Sequence, residues 1–274
     1  MNKDTFLKEH YGINENTGLI CPVCQDGKLV INEKNITKIE YKKFNKDVNE
    51  YAKQHNECDY DWFKYSFYGF LVCKNCSENV VFAGKLSEYF DLDDAFYTLL
   101  TIEYIERPPY IIEINNNIPK EIKCPLTEIL IDSFKLFWID VNSCANKIRI
   151  CLEFMMDDLF KIQKSETVRN KKTGLNERKK LTLHKRINLL SDKSMKEILE
   201  SVKWIGNSAS HKETINKEDL LDAYAALEYV LNKLYDGGKE IIKNAKLINK
   251  TKKPRSKITT RRKSQQTLST TPIT

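Results

Sequence analysis

Two Cys-x-x-Cys pairs, Cys21-Pro-Val-Cys24 and Cys73-Lys-Asn-Cys76, constrain what this chain can fold into more than any other feature. Zinc is held by deprotonated sulfur in a tetrahedron, and two such turns brought together supply all four ligands without help from the rest of the fold. In a reducing compartment, pairs of this spacing serve as metal ligands or redox dithiols more often than as structural disulfides. A thioredoxin-like dithiol calls for a βαβ pattern around one pair, and neither pair is set in one. The expectation is a closed, structural Zn2+ site at Cys21, Cys24, Cys73 and Cys76, with His55 and Cys58 as the substitute ligands and no open position for a substrate.

The residues around the pairs read as turns between short strands. Cys73 to Cys76 separates an aromatic and branched run, Tyr65 to Val72, from the apolar Asn79 to Ala83. Cys21 to Cys24 is followed by Gln-Asp-Gly and then the strand-like Lys28 to Ile31. This is the pattern of a small zinc ribbon within residues 1–107, and the span 32–64 between the pairs reads as an insertion in it. Pro108, Pro109 and Pro119 mark 108–124 as a linker.

From Pro125 the apolar residues change to helical spacing. Leu126, Leu130, Phe134 and Phe137 share one face. Behind an Asp140 N-cap, Cys144, Ile148, Leu152, Met155 and Leu159 recur at steps of three and four. Residues 163–180 interrupt this with a glycine and many charges and read as a long basic loop. Helical segments follow at 181–190 and 194–205. A last helix starts near Asn216 with Asp219 at its capping-box position. The predicted fold class is α+β: a small N-terminal zinc ribbon, an all-α bundle over 125–242, and a disordered basic tail over 243–274.

The chain carries a net charge of +7, yet residues 243–274 hold ten Lys or Arg and no Asp or Glu, leaving about −3 for the rest. Lys252, Lys253, Arg255, Arg261 and Arg262 in the tail, with Lys171, Lys172, Lys179 and Lys180 in the basic loop, are the candidate phosphate contacts. The alternative for both segments is a solvated surface. The N-terminus has no apolar signal core, and no apolar run approaches the length of a membrane span. These features point to a cytoplasmic protein without a membrane partner.

Several landmarks occur in a recognisable order: the Cys-Pro-x-Cys turn, the second Cys-x-x-Cys, the proline-bearing linker, Arg149-x-x-x-Glu153 on the second helix, and Gly206-Asn207-Ser-Ala-Ser-His211 before the last helix. Over roughly residues 18–236 they resemble the bacterial family grouped as the domain of unknown function 4145, which is similar to the HEPN superfamily of helical bundles. The resemblance implies a HEPN-like bundle, a homodimer, and a place in a bacterial defence or toxin module acting on RNA. Many HEPN-like proteins are metal-independent ribonucleases that carry an Arg shortly before a His. Here Trp204, Ile205 and Gly206 stand where that Arg would be, and Lys203 is one residue too far. A ribonuclease built on this chain would use His211 as acid or base with Asn207 orienting it; otherwise the two tie a turn between helices. Arg149 and Glu153 are either an exposed pair or the lining of a groove or dimer seam. A dimeric adaptor binding a protein partner is the competing function.

Overall fold

The computed structural model describes residues 2–56, 63–90, 96–208 and 215–235. His211, Cys58 and the tail cations Lys252, Lys253, Arg255, Arg261 and Arg262 lie outside these residues.

The N-terminal half is a six-stranded antiparallel sheet, which overturns the expected small zinc ribbon. After the short helix α1 (Lys3–Leu7) come β1 (Tyr11–Gly12), β2 (Asn16–Ile20), β3 (Lys28–Glu40), helix α2 (Lys42–His55), β4 (Tyr65–Cys73), β5 (Asn79–Phe90) and β6 (Phe96–Ile105). Their spatial order is β1-β6-β5-β4-β3-β2, so the two strands nearest in sequence occupy opposite edges. Six strands about 4.8 Å apart would put those edges about 24 Å from one another in a flat sheet. The chain from Gly12 to Asn16 can reach only about 14 Å. The sheet must therefore curl until its edges nearly meet, and the result is barrel-like. The turn between β1 and β2 runs straight into the β2–β3 pairing, the Ile31 amide donating to the Glu15 carbonyl at 2.9 Å.

The segment 32–64 is thus part of the sheet and not an insertion in a ribbon. Its strand was hidden by an irregularity. Ile31 pairs with Leu71 and Ile36 with Gly69, so five residues of β3 advance against two of β4, and the polar Asn32-Glu-Lys-Asn35 run fills the bulge. Gly69 permits it, because a Cβ there would lie 2.1 Å from the Asn35 carbonyl oxygen. Along β4 the pleat sends Phe67, Leu71 and Cys73 inward and Tyr68 and Phe70 outward.

The C-terminal half is mostly helical: α3 (Lys120–Ile139), α4 (Val141–Phe154) continuing as one π-helical turn (Met155–Leu159), α5 (Leu183–Asn188), α6 (Lys193–Ser208) and α7 (Lys217–Tyr235). Asp140 caps α4 by accepting from the Asn142 amide at 2.9 Å. Asn216 and Asp219 exchange side-chain-to-backbone bonds of 2.9 and 3.0 Å, closing the capping box of α7. Helix α3 begins five residues earlier than the pattern implied, so that Pro125 is its sixth residue, past the first-turn amides that lack an intrahelical partner.

The half is not all-α. Residues 163–180, expected to be a loop, contain a β-hairpin, β7 (Ser165–Arg169) and β8 (Asn176–Lys180). Its turn is drawn closed by Asn170, whose side chain accepts from the Lys172 and Thr173 amides, and by Gly174 at φ +71°. One hydrophobic cluster runs through both halves, from Leu71 and Phe82 in the barrel to Phe134, Leu152 and Tyr224 in the helices. Helix α3 packs on β6, and α1 bridges β2 and α7. Among the described residues no helix is long and apolar enough to cross a membrane.

Candidate functional sites: a four-cysteine cluster and a basic cleft

The first Cys-x-x-Cys pair forms the β2–β3 turn and the second the β4–β5 turn. Leu29 pairs with Cys73, which brings both turns to the same end of neighbouring hairpins. The turns have the same internal geometry. The amide four residues on returns to the first cysteine's carbonyl, Gln25 to Cys21 at 3.0 Å and Ser77 to Cys73 at 3.1 Å. Gln25 and Ser77 accordingly take φ of 57° and 60°. Amide hydrogens point at sulfur: Val23 to Cys21 and Asn75 to Cys73 at 3.4 Å, and Gly27 to Cys24 at 3.3 Å.

All four sulfurs lie within 4.8 Å of one another, with Cys21 to Cys76 at 3.8 Å and Cys24 to Cys73 at 3.6 Å. A tetrahedron with metal–sulfur bonds of about 2.3 Å has edges of about 3.8 Å, so the donors fit such a metal. The cysteines are free thiols, not disulfides. Crowding sulfurs together without a cation splits their acidities. Amides of Asp26 and Gly27 draw Cys24 down to about 6. At Cys76 the Glu78 amide pulls down, but desolvation and the three facing sulfurs outweigh it and push the thiol up to about 12. A bound cation removes this conflict by stabilising all four thiolates. Gly27 gives the turns room, since a Cβ there would meet the Cys73 sulfur at 2.4 Å and Asn75 Cβ at 2.6 Å.

The second arrangement lies among the helices. Gly206 on α6 crosses α4 so closely that a Cβ would sit 2.7 Å from Arg149 Cβ. At this crossing the Arg149 guanidinium donates to Asn207 Oδ1 and, at 3.4 Å, to Glu153. Arg149 and Asn207 wall a cleft of about 370 Å³ together with Thr182, His184, Lys203 and Trp204. Lys203 is 3% exposed and Trp204 61% exposed. The Lys203 ammonium lies 4.0 Å from the Trp204 ring centre and 3.2 Å from His184 Nδ1, and Glu200 approaches the same nitrogen at 2.8 Å.

The structure therefore brings Arg149 and Asn207 together and leaves Glu153 on the rim. Lys171 and Lys172 lie in the β7–β8 turn and Lys179 and Lys180 on β8, all exposed. Sequence reasoning did not assign His184 or Trp204 to a site. The available signal was the i, i+4 spacing of Lys203 and Asn207, which puts both on the α6 face that meets α4. A larger recess of about 800 Å³ opens between barrel and helices, and three of its charged side chains bond to neighbouring groups. There Asn75 donates to Asp26, Lys123 donates to Asn116, and Glu228 accepts from the Glu113 amide.

With this geometry in place, comparison with known families shows what each half is similar to. Residues 132–261 match the domain of unknown function DUF4145. The DUF4145 match covers α4, the hairpin and the whole cleft. Residues 9–102 match a second domain of unknown function, DUF8608, whose limits are nearly those of the barrel and which includes all four cysteines. No curated protein and no solved structure matches the chain.

Proposed function

We propose that this is a nucleic-acid-associated protein, RNA-directed, whose helical half makes the contact and whose barrel is pinned by Zn2+ at Cys21, Cys24, Cys73 and Cys76. The observation that carries the reading is the hairpin. The pairing of β7 with β8 puts Arg169, Arg178 and Lys180 on one face with Ser165, Thr167 and Asn176, and no carboxylate. Glu166 and Glu177 take the other face, with Lys179. A two-stranded ribbon that packs on little else is marginal by itself, and its charge pattern suits neutralisation by phosphates. Lys171, Lys172, Lys179 and Lys180 form no ion pair among the described residues. The barrel is the less suitable half, because residues 1–107 hold 13 Lys or Arg against 18 Asp or Glu.

The Zn2+ is a structural element in this reading: four thiolates close its coordination and tie two hairpin turns together. A homodimer and membership of a bacterial defence or toxin module are proposed from the HEPN-like resemblance. The test is fluorescence anisotropy of the full chain on single-stranded RNA and on DNA over a salt series. Replacing Arg169, Lys171, Lys172, Arg178 and Lys180 by Gln should make the slope of log affinity against log salt shallower by about 3.5, at about 0.7 per lost phosphate contact. An unchanged slope refutes the hairpin as the contact.

A second reading, a dimeric adaptor for a protein partner, is favoured by the barrel's outer face. Tyr68 and Phe70 on β4 and Tyr104 on β6, the two strands that flank β5, are 50%, 45% and 40% exposed, and Tyr68 and Tyr104 both pair with Ala83. Aromatic residues of this kind are enriched at the centres of protein interfaces. The absence of RNA binding at low salt would select this reading.

A further inference from the structure

The cleft between α4, α5 and α6 has the makings of a ligand site in its own right. A lysine ammonium that is buried needs a counter-charge or several acceptors, because desolvating an unpaired cation is strongly unfavourable. Lys203 is 3% exposed, and no carboxylate pairs with it among the described residues. Its one described polar partner is the ring nitrogen of His184, which cannot neutralise it. Glu200, on the same helix, approaches that same Nδ1, which can donate to Glu200 or accept from Lys203 but not both.

The Arg149 guanidinium lines the same cleft from α4, held by Asn207 and, on the rim, by Glu153 at 3.4 Å. Two cations thus face one small space from different helices, and the space is bordered by an indole ring left largely in solvent. An exposed tryptophan beside fixed cations is an arrangement suited to stacking a nucleobase next to a bound phosphate. A volume of about 370 Å³ admits one nucleotide unit and excludes a duplex.

We infer that the cleft binds a single nucleotide unit of single-stranded RNA, its phosphate between Lys203 and Arg149 and its base against Trp204. This deepens the proposed function and rests on it for the identity of the polymer. The basic hairpin would then deliver the strand: Lys180 precedes Thr182 of the cleft wall by two residues, so cations of the ribbon lead directly to the pocket.

The test is calorimetric titration of the full metal-loaded chain with adenosine 5′-monophosphate, adenosine and inorganic phosphate. The monophosphate should bind at least tenfold more tightly than either part. Lys203→Met keeps the apolar stem and removes the charge, and should weaken binding at least tenfold. Trp204→Ala, at an exposed position whose loss leaves the core intact, should weaken it about tenfold. Absence of binding at millimolar monophosphate, or affinity unchanged in both cleft variants, overturns the inference. A tetraribonucleotide should displace the monophosphate. Monophosphate binding that the tetraribonucleotide does not disturb would uphold the nucleotide pocket and overturn the RNA-directed reading.

Discussion

Gly27 offers a quantitative test of the four-cysteine cluster. The perturbation is one methyl group, Gly27→Ala, at a residue that is not itself a ligand. The added Cβ would lie 2.4 Å from the Cys73 sulfur and 2.6 Å from Asn75 Cβ. Relief to an ordinary contact of about 3.6 Å requires the two turns to part by about 1 Å. Metal–sulfur bonds tolerate only about 0.2 Å. A sulfur displaced by five times that tolerance is lost as a ligand. Structural zinc binding is worth about 10–16 kcal/mol over four ligands, so the loss of one costs about 3 kcal/mol, or roughly two orders of magnitude in affinity. The assay is competition for zinc against a chromophoric chelator, with native mass spectrometry to count bound metal. Retention of parental affinity within threefold would refute the tetrahedral reading. It would mean that the turns are not held against one another by a shared ion.

Three further outcomes follow from the packing. Asp192 caps α6 through the Met195 amide and pairs with Lys233; the Lys233 and Ser194 side-chain bonds and that amide hold its carboxyl well below the usual range. Because the folded value lies below the unfolded one, the stability it contributes is present above about pH 4 and is lost as pH falls through the depressed value. Asp192→Asn should therefore melt a few degrees below the parent at pH 7, with the gap narrowing towards pH 2.5; a gap independent of pH would contradict this. Arg186 is buried and bonded to Asp157 and to the Ile162 carbonyl at 2.9 Å, so Arg186→Ala should cost about 3 kcal/mol in urea unfolding. Tyr224 donates to Ser133 Oγ at 2.8 Å in the helical core, and Tyr224→Phe should cost about 1–2 kcal/mol with the cysteine cluster unaffected.

What the sequence disclosed was whatever repeats at short range. The four cysteines, the Asp140 cap, the Asn216–Asp219 box and the apolar faces of α4 and α7 each depend on residues a few positions apart. The barrel depends on pairings across tens of residues, and its longest strand is broken by the Asn32-Glu-Lys-Asn35 bulge, which erases the two-residue alternation. The hairpin was invisible for a different reason: Glu177 to Lys180 buries nothing, so no apolar pattern marks it as a strand. Its Asn170…Gly174 turn was the only local trace. The cleft residues came from three separate helices, and only Arg149 and Asn207 had been singled out, through the family resemblance. Trp204, read as the place of a missing arginine, proves to be an exposed ring at the mouth of the cleft.

The position of β1 and β2 at opposite edges of the sheet also dictates an order of assembly. Tyr11 pairs with Leu100, a contact separated by most of the barrel's length, whereas β2 to β5 pair with near neighbours in sequence. Pairings of high sequence separation are slow to form, because chain entropy is lost before they stabilise anything. During synthesis Tyr11 must wait until residue 100 has left the ribosome. Until then the β2–β5 meander stands open along the edge of β5 that β6 will cover. The two cysteine turns fall within that early meander, so metal capture can precede closure and steady the half-built sheet while its last strand is still being made.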